Sequence, residues 1–443
     1  MGFERRDASW LTFEQAKGRI LLDARRHLLP VEHRAPEDAA GMALAEDVKS
    51  TVLLPPWDNS AMDGYAVRGD DVAGATVEHP VELRVVDAVR PGRLPEVPVG
   101  AGEAVRIMTG GVLPEGADSV IRVEDTDAEE TAGRVVVRAD RDRSRNIRPR
   151  GEDVRPGATV LERGASLSPA RIGVLAALGT ARVAVHRRPR VAILSNGDEL
   201  VDARHGGEDR LRAGAVVDSN GPMLAAAVRA AGGEAVRTGI VPDDRAAVRR
   251  SLEDAADADL VVTIGGASMG EADLFKRVLD EMDFRLDFWR VRLRPGSPVG
   301  FGRLPVHGAE RPDVPLFSLP GNPVSAYVTF QLFVRPFLLA MAGHGRIERP
   351  TVRARAAERL GGSEAHEIFL RVRLSAGEGP EWLVSPTGPQ GSGIISSIGS
   401  ADGLAVIPLG VAAIESGQAV DVILLGEGPG WPAGSPGSAE REG

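Results

Sequence analysis

Five short segments of this chain hold the residue types that do chemistry. Ser195-Asn196-Gly197-Asp198-Glu199-Leu200 follows one apolar run, and Gly265-Gly266-Ala267-Ser268-Met269-Gly270-Glu271-Ala272-Asp273 follows another. Asp243-Asp244 stands between them, after a third run. Glycines allow close backbone approach, and free amides at the start of a following helix can bind an anion. Carboxylates beside such amides suit a hard divalent cation shared with a phosphate-bearing ligand. Magnesium fits better than zinc, because the donors are all oxygen and no Cys or His is nearby. No Gly-Lys-Ser/Thr follows the glycines, so the turn is not a P-loop, and it lacks the dinucleotide fingerprint spacing. Each turn taken alone also reads as an ordinary tight loop, and one of Asp243 and Asp244 as a helix N-cap. Leu319-Pro320-Gly321-Asn322-Pro323-Val324-Ser325 opens a helix; its prolines stiffen a turn that leaves nearby amides and the Asn322 side chain for a ligand. Pro55-Pro56-Trp57-Asp58-Asn59-Ser60-Ala61-Met62-Asp63-Gly64-Tyr65 is a polar loop tied to apolar anchors.

The elements that position these turns are legible from periodicity. Residues 12–28 read as a helix with Thr12 and Gln15 as a capping box, and a second short helix is predicted over 37–44. Between Tyr65 and Val137 short Val-rich runs (81–86, 104–108, 119–123, 134–137) predict a β-rich domain. Ser168 and Pro169 open another helix, running to Leu178, so a helical region can be built from two separated segments. From Pro189 onward strands alternate with helices: strands 191–194, 236–240 and 260–264, helices 222–231, 244–256 and 273–282. This pattern gives βαβ units and a parallel sheet, whose ligands sit at the carboxyl ends of the strands. Alternating runs at 352–354, 369–374, 404–408 and 420–425 predict a small C-terminal barrel or sheet, and residues 426–443 a disordered tail.

At 443 residues with 43% hydrophobic and 26% charged composition, the chain reads as a multidomain globular protein. The absence of Cys excludes disulfides, thiolate metal sites and thiol nucleophiles. A net charge of −10 argues against a nucleic-acid partner. No membrane partner is expected, since no run of about 18 apolar residues is read, and the lack of a signal-like start favours the cytoplasm. Arg141, Arg143, Arg145, Arg148, Arg150 and Arg155 form a basic stretch that fits either a solvated loop or an anion site.

The loop from Pro55 to Arg68 closely resembles the signature loop of the molybdopterin molybdenumtransferase family, which includes the matching region of gephyrin. Ile107-Met108-Thr109-Gly110-Gly111, Arg150-Gly151-Glu152-Asp153, the heptapeptide from Leu319 to Ser325, and Pro386-Thr387-Gly388 with Gln390-Gly391-Ser392-Gly393 resemble further motifs of that family. The resemblance runs from about residue 10 to 425. It implies a helical linking domain (1–50 with 155–188), a β-rich domain (51–154), a three-layer α/β molybdopterin-binding domain with a parallel-rich sheet (189–346), and a C-terminal β-barrel (347–425). It also implies a homodimer whose cleft lies between the α/β domain of one subunit and the second domain of the other. The implied substrates are adenylylated molybdopterin and molybdate. The implied reaction is molybdenum insertion with divalent-cation-assisted hydrolysis of the phosphoanhydride and release of AMP, with transient contacts to other cofactor-assembly proteins.

By the same resemblance Asp63, Asp153, Glu199, Asp243 and Asp273 are catalytic, and Glu199, Asp243 and Asp273 hold Mg2+. Asn59, Ser60, Thr109, Gly265, Gly266, Ser268, Arg290, Arg294, Ser297, Pro320, Asn322, Arg371 and Ser392 bind substrate. Carboxylates there can hold magnesium and accept protons as molybdate loses oxo groups. One segment departs from the family pattern: Trp289-Arg290-Val291-Arg292-Leu293-Arg294-Pro295-Gly296-Ser297-Pro298 stands where lysines are frequent. Arg290 and Arg294 keep the charge with a different geometry, and Ser297 loses one. That change makes a dimeric scaffold, or a specialised paralogue binding a pterin or nucleotide, the alternative reading.

Overall fold

The computed structural model describes residues 10–202, 214–265, 274–306, 312–377 and 381–426. The chain forms two compact units, one of residues 1–45, 164–168 and 182–443, the other of residues 46–163 and 169–181. Helix α1 (Phe13–Arg26) belongs to the first. Thr12 Oγ1 accepts the Gln15 N–H while Gln15 Oε1 accepts the Thr12 N–H, closing the expected capping box. Phe13, Ala16, Ile20 and Ala24 fall on its buried face at helical spacing. The helix predicted over 37–44 is instead one 3-10 turn, Pro36–Ala39. Gly41 then enters the left-handed region at φ 77, and Ala43 and Leu44 leave as bridges to Ser166 and Val185.

The second unit is built on a five-stranded sheet of β1 (Gly64–Val67), β2 (Val81–Val89), β3 (Glu103–Ile107), β4 (Ser119–Arg122) and β5 (Arg134–Val137). Its order is β4–β1–β3–β2–β5, with only β2 and β3 parallel. Successive residues of β1 serve two cores: Tyr65 and Val67 pack with Leu83, Ile121 and Val135, and Ala66 packs with Val89, Val105 and Val120. Helix α2 (Pro169–Ala177) opens on Pro169 as the sequence predicts.

In the first unit the α/β sheet contains β6 (Arg190–Asn196), β7 (Glu234–Val241), β8 (Leu260–Ile264), β9 (Arg285–Phe288), β10 (Gly300–Leu304) and β11 (Val314–Leu319). The order is β7–β6–β8–β11–β10–β9; the first four are parallel, β10 runs antiparallel to β11, and β9 antiparallel to β10. Helices α3 (Asn220–Ala230), α4 (Arg245–Ala255) and α5 (Leu274–Glu281) cover its faces, giving separate buried clusters on either side. Helix α6 (Pro323–Thr329), a π-helical turn at Phe330–Val334 and helix α7 (Arg335–Met341) make one apolar stretch. Those 19 residues are long and apolar enough to cross a membrane, but 89% of the window is buried inside the fold, as in a core helix. The C-terminal strands β12 (Thr351–Ala356), β13 (Glu367–Ala376), β14 (Trp382–Pro386), β15 (Gly403–Ile407) and β16 (Ala419–Leu424) close into a barrel, β13 pairing with both β14 and β15. The predicted tail beyond residue 426 lies outside the described residues.

Candidate active site

In the second unit the loop from Pro55 is shaped to present Asp63. Asn59 and Ser60 are buried. Asn59 Nδ2 donates to Trp57 O and Ser60 Oγ to Met62 O, so both side chains are engaged in shaping their own loop. Asp63 itself is exposed, and its Oδ1 accepts both the N–H and the hydroxyl of Thr109 at 2.7 Å. These bonds, the backbone one foremost, hold its pKa below the ordinary carboxylate range. Gly64 is required next to it, since a β-carbon there would run into the Ile121 carbonyl across the sheet. Asp153 is exposed on the neighbouring turn, where its N–H donates to Leu54 O at 3.0 Å, and Asp58 caps the Arg150 N–H at 2.6 Å. No hydrogen bond joins Asp153 to Asp63 among the described residues. Two arginines of the basic stretch are ion-paired: Arg141 with Asp125 and Arg143 with Asp70.

In the first unit the carboxyl ends of the four parallel strands meet along one edge. Beyond β6, the Asp198 N–H reaches Asp243 Oδ2 at 3.4 Å, and the Asp243 N–H donates to Asp198 Oδ1 at 3.0 Å. The turns after β6 and β7 are thus laced together, with Glu199 exposed beside them. Asp244 is the N-cap of α4, accepting the Ala247 N–H at 2.8 Å. Gly265 follows β8 and lies against Gly321 after β11. Gly266, Ser268 and Asp273 lie outside the described residues. Among the described residues no group of three or more acidic or imidazole side chains is gathered closely enough to hold a metal ion.

Two residues on this edge escaped the reading of the sequence. Asp218 is buried and binds Ser195 Oγ at 3.0 Å, the Gly221 N–H at 2.8 Å and Arg237 at 3.0 Å, tying the end of β6 to the start of α3. Asn220 donates to Gly321 O at 2.7 Å, while its own buried amide oxygen has no partner. The cluster Asp218-Ser219-Asn220-Gly221 was the available signal, a set of turn-forming residues ahead of a helix.

A cavity of about 420 Å³ gathers six of the expected binding residues: Arg294, Ser297, Pro320, Asn322, Arg371 and Ser392. Asn322 Nδ2 donates to Ser392 Oγ at 3.0 Å, joining the α6 entry to the barrel. Gly296 has φ 107, and a β-carbon there would run into Thr329. Arg371 is 1% exposed and donates to Ser397 Oγ and Gly391 O, both at 3.1 Å. No carboxylate among the described residues pairs with it, and burial presses its pKa downward. A buried guanidinium with neutral partners favours an incoming anion. Arg290 does not line this cavity; its guanidinium stacks over the Trp10 ring at 5.5 Å. A larger cavity of about 610 Å³ lies at the amino ends of β6 and β11, where Arg187 pairs with Asp259 and Arg303 with Asp23. Both of those arginines are matched, and ligands of α/β sheets sit at the other end.

Comparison with known proteins agrees with this geometry along most of the chain. Residues 11–179 match the MoeA N-terminal region (domain I and II), 192–340 a probable molybdopterin binding domain, and 353–425 the MoeA C-terminal region (domain IV). Molybdopterin molybdenumtransferase 2 of Mycobacterium tuberculosis is 38% identical over 390 residues, covering 87% of this chain and 92% of its own. The molybdopterin molybdenumtransferase of a Nostoc species is 36% identical, covering 87% of each chain. The crystal structure of a molybdopterin biosynthesis MoeA protein from Pyrococcus horikoshii superposes with a TM-score of 0.73 at 30% identity, covering 95% of this chain and all of its own. The chain is a member of the molybdopterin molybdenumtransferase family.

Proposed function

We propose that this chain inserts molybdenum into molybdopterin, taking adenylylated molybdopterin and molybdate, hydrolysing the phosphoanhydride with a divalent cation and releasing AMP. The observation that carries the reading is the cavity walled by Arg294, Ser297, Asn322, Ser392 and the buried, carboxylate-free Arg371. Two guanidiniums and three neutral polar side chains suit a tetrahedral oxyanion and an anionic pterin. Family membership along nearly the whole chain supports the same assignment.

Glu199 and Asp243 are exposed oxygen donors at the strand ends and fit a hard cation, with Asp273 as the further donor of the family pattern. Magnesium held there would neutralise charge on the phosphoanhydride. Asp63, kept ionised by Thr109, would take the proton of a molybdopterin thiol as sulfur bonds molybdenum and pass it to the oxo group, which leaves as water. Asp153 supports it from the adjoining turn, while Asn59 and Ser60 set the shape of the loop. Gly265, with Gly266 and Ser268, offers backbone and hydroxyl donors to phosphate. Arg290 acts through its stack on Trp10, outside the cavity wall. The working form in this reading is a cytoplasmic homodimer in which the Asp63 face of one subunit completes the strand-end cleft of the other. The four-domain division, with boundaries near residues 50, 154, 188 and 346, belongs to the same proposal.

Molybdate binding measured by calorimetry on the full chain tests the cavity. Arg371→Met keeps the side-chain volume and removes the cation. Binding at least about 10-fold weaker, in a variant still folded by circular dichroism, is expected for a charge-assisted oxyanion contact. Unchanged affinity would remove Arg371 from the site.

A further inference from the structure

Arg290, Arg292 and Arg294 alternate with Val291 and Leu293 along an extended segment. Both apolar residues are fully buried, so the two-residue period puts the three arginines on the opposite side. The segment is clamped at its centre: the Arg292 N–H donates to Leu11 O at 2.8 Å, and its carbonyl accepts the Glu367 N–H at 3.0 Å. Arg290 turns onto Trp10, and Trp10 meets the His366 ring edge-on at 5.7 Å. His366 feels both Arg292 and Arg294, and with burial as the larger cause its pKa is held below the ordinary value. It is therefore neutral near pH 7 and does not compete for an anion. Its buried Nδ1 has no hydrogen-bond partner. Arg292 and Arg294 are exposed, and among the described residues no carboxylate forms an ion pair with either. Elsewhere on this acidic chain exposed arginines are repeatedly matched, as Arg285 is with Asp313 and Arg353 with Asp421. Two exposed guanidiniums two residues apart on one side of an extended segment repel each other until an anion enters, and Arg294 also lines the cavity that Arg371 lines.

We infer that Arg292, together with Arg294, forms a phosphate-binding subsite at the edge of that cavity and sets affinity for the phosphate-bearing end of the substrate. The inference rests on the reading of the cavity as the substrate pocket. It assigns to Arg292 a role that the resemblance did not, at a position one period from the arginine that lines the wall. A bidentate guanidinium pair matches the oxygens of a phosphate or pyrophosphate group better than it matches a carboxylate-poor pterin ring.

The test is titration of inorganic pyrophosphate into the full chain, comparing wild type with Arg292→Ala, Arg292→Lys and the ion-paired surface control Arg285→Ala. Arg292→Ala is expected to weaken pyrophosphate at least about 5-fold, Arg292→Lys less, and Arg285→Ala not at all. The Michaelis constant for adenylylated molybdopterin should rise in Arg292→Ala by a similar factor. Equal pyrophosphate affinity in wild type and Arg292→Ala, or no pyrophosphate binding by wild type at millimolar concentration, overturns the subsite. Pyrophosphate binding that depends on Arg292 in a protein releasing no AMP would keep the subsite and overturn the function, so the two failures are distinguishable.

Discussion

Asp63 and Thr109 stand 46 residues apart and meet at 2.7 Å, and nothing in local composition announces that meeting. Only the resemblance of two separated motifs brought the pair together in the sequence, whereas Asp218 and Asn220, in a plain turn, were missed. Arg290 was legible as a cation but not as a stacking partner, because its orientation depends on Trp10, 280 positions away in the chain. Asp63→Asn keeps the shape and one acceptor while removing the charge, so AMP release is expected to fall about 100-fold or more. Thr109→Val removes one of the two bonds to Asp63 Oδ1. The carboxylate pKa should then rise toward its ordinary value, moving the acidic limb of the pH–rate profile upward. An unmoved limb would mean that Asp63 is not the group titrating there.

Elements with strong local signals were read correctly, and those whose ends are set by backbone geometry were not. The capping box of α1 was visible as Thr12 and Gln15, and Thr12→Ala is expected to cost about 1 kcal/mol in denaturant unfolding. Ile20 on the buried face of the same helix should cost roughly 2–4 kcal/mol when cut to Ala. The helix expected over 37–44 had suitable residues but was stopped by Gly41, whose left-handed turn sends Ala43 and Leu44 into bridges. A parallel sheet was implied by βαβ alternation, but its strand order was not, and β9 and β10, which pair antiparallel with no helix between them, gave no such signal. Gly64 shows the opposite case, a position fixed by a neighbouring strand. Gly64→Ala would press on the Ile121 carbonyl and is expected to lower the melting temperature and displace Asp63 together.

At the scale of the molecule, stability and assembly give independent checks. His344 is half-buried after α7, and desolvation foremost, then the Arg335, His186 and Arg188 charges, lowers its pKa to about 4. A histidine kept neutral in the fold takes up a proton on unfolding once the pH falls below its unfolded value near 6.5. Stability from this group is therefore complete above that pH and is lost progressively as pH falls toward 4, by about 3 kcal/mol. Urea unfolding at pH 7.5 and 4.5 should show a steeper acid loss in wild type than in His344→Gln. Equal slopes would place the loss on other groups. Light scattering at micromolar concentration should report a dimer, and a monomer would count against a cleft completed by two subunits. The most direct measurement is AMP release from adenylylated molybdopterin, with magnesium and molybdate supplied separately and together. Release that requires both is the expected result. Tight binding of the substrate by folded protein without release under any of these conditions would contradict the account.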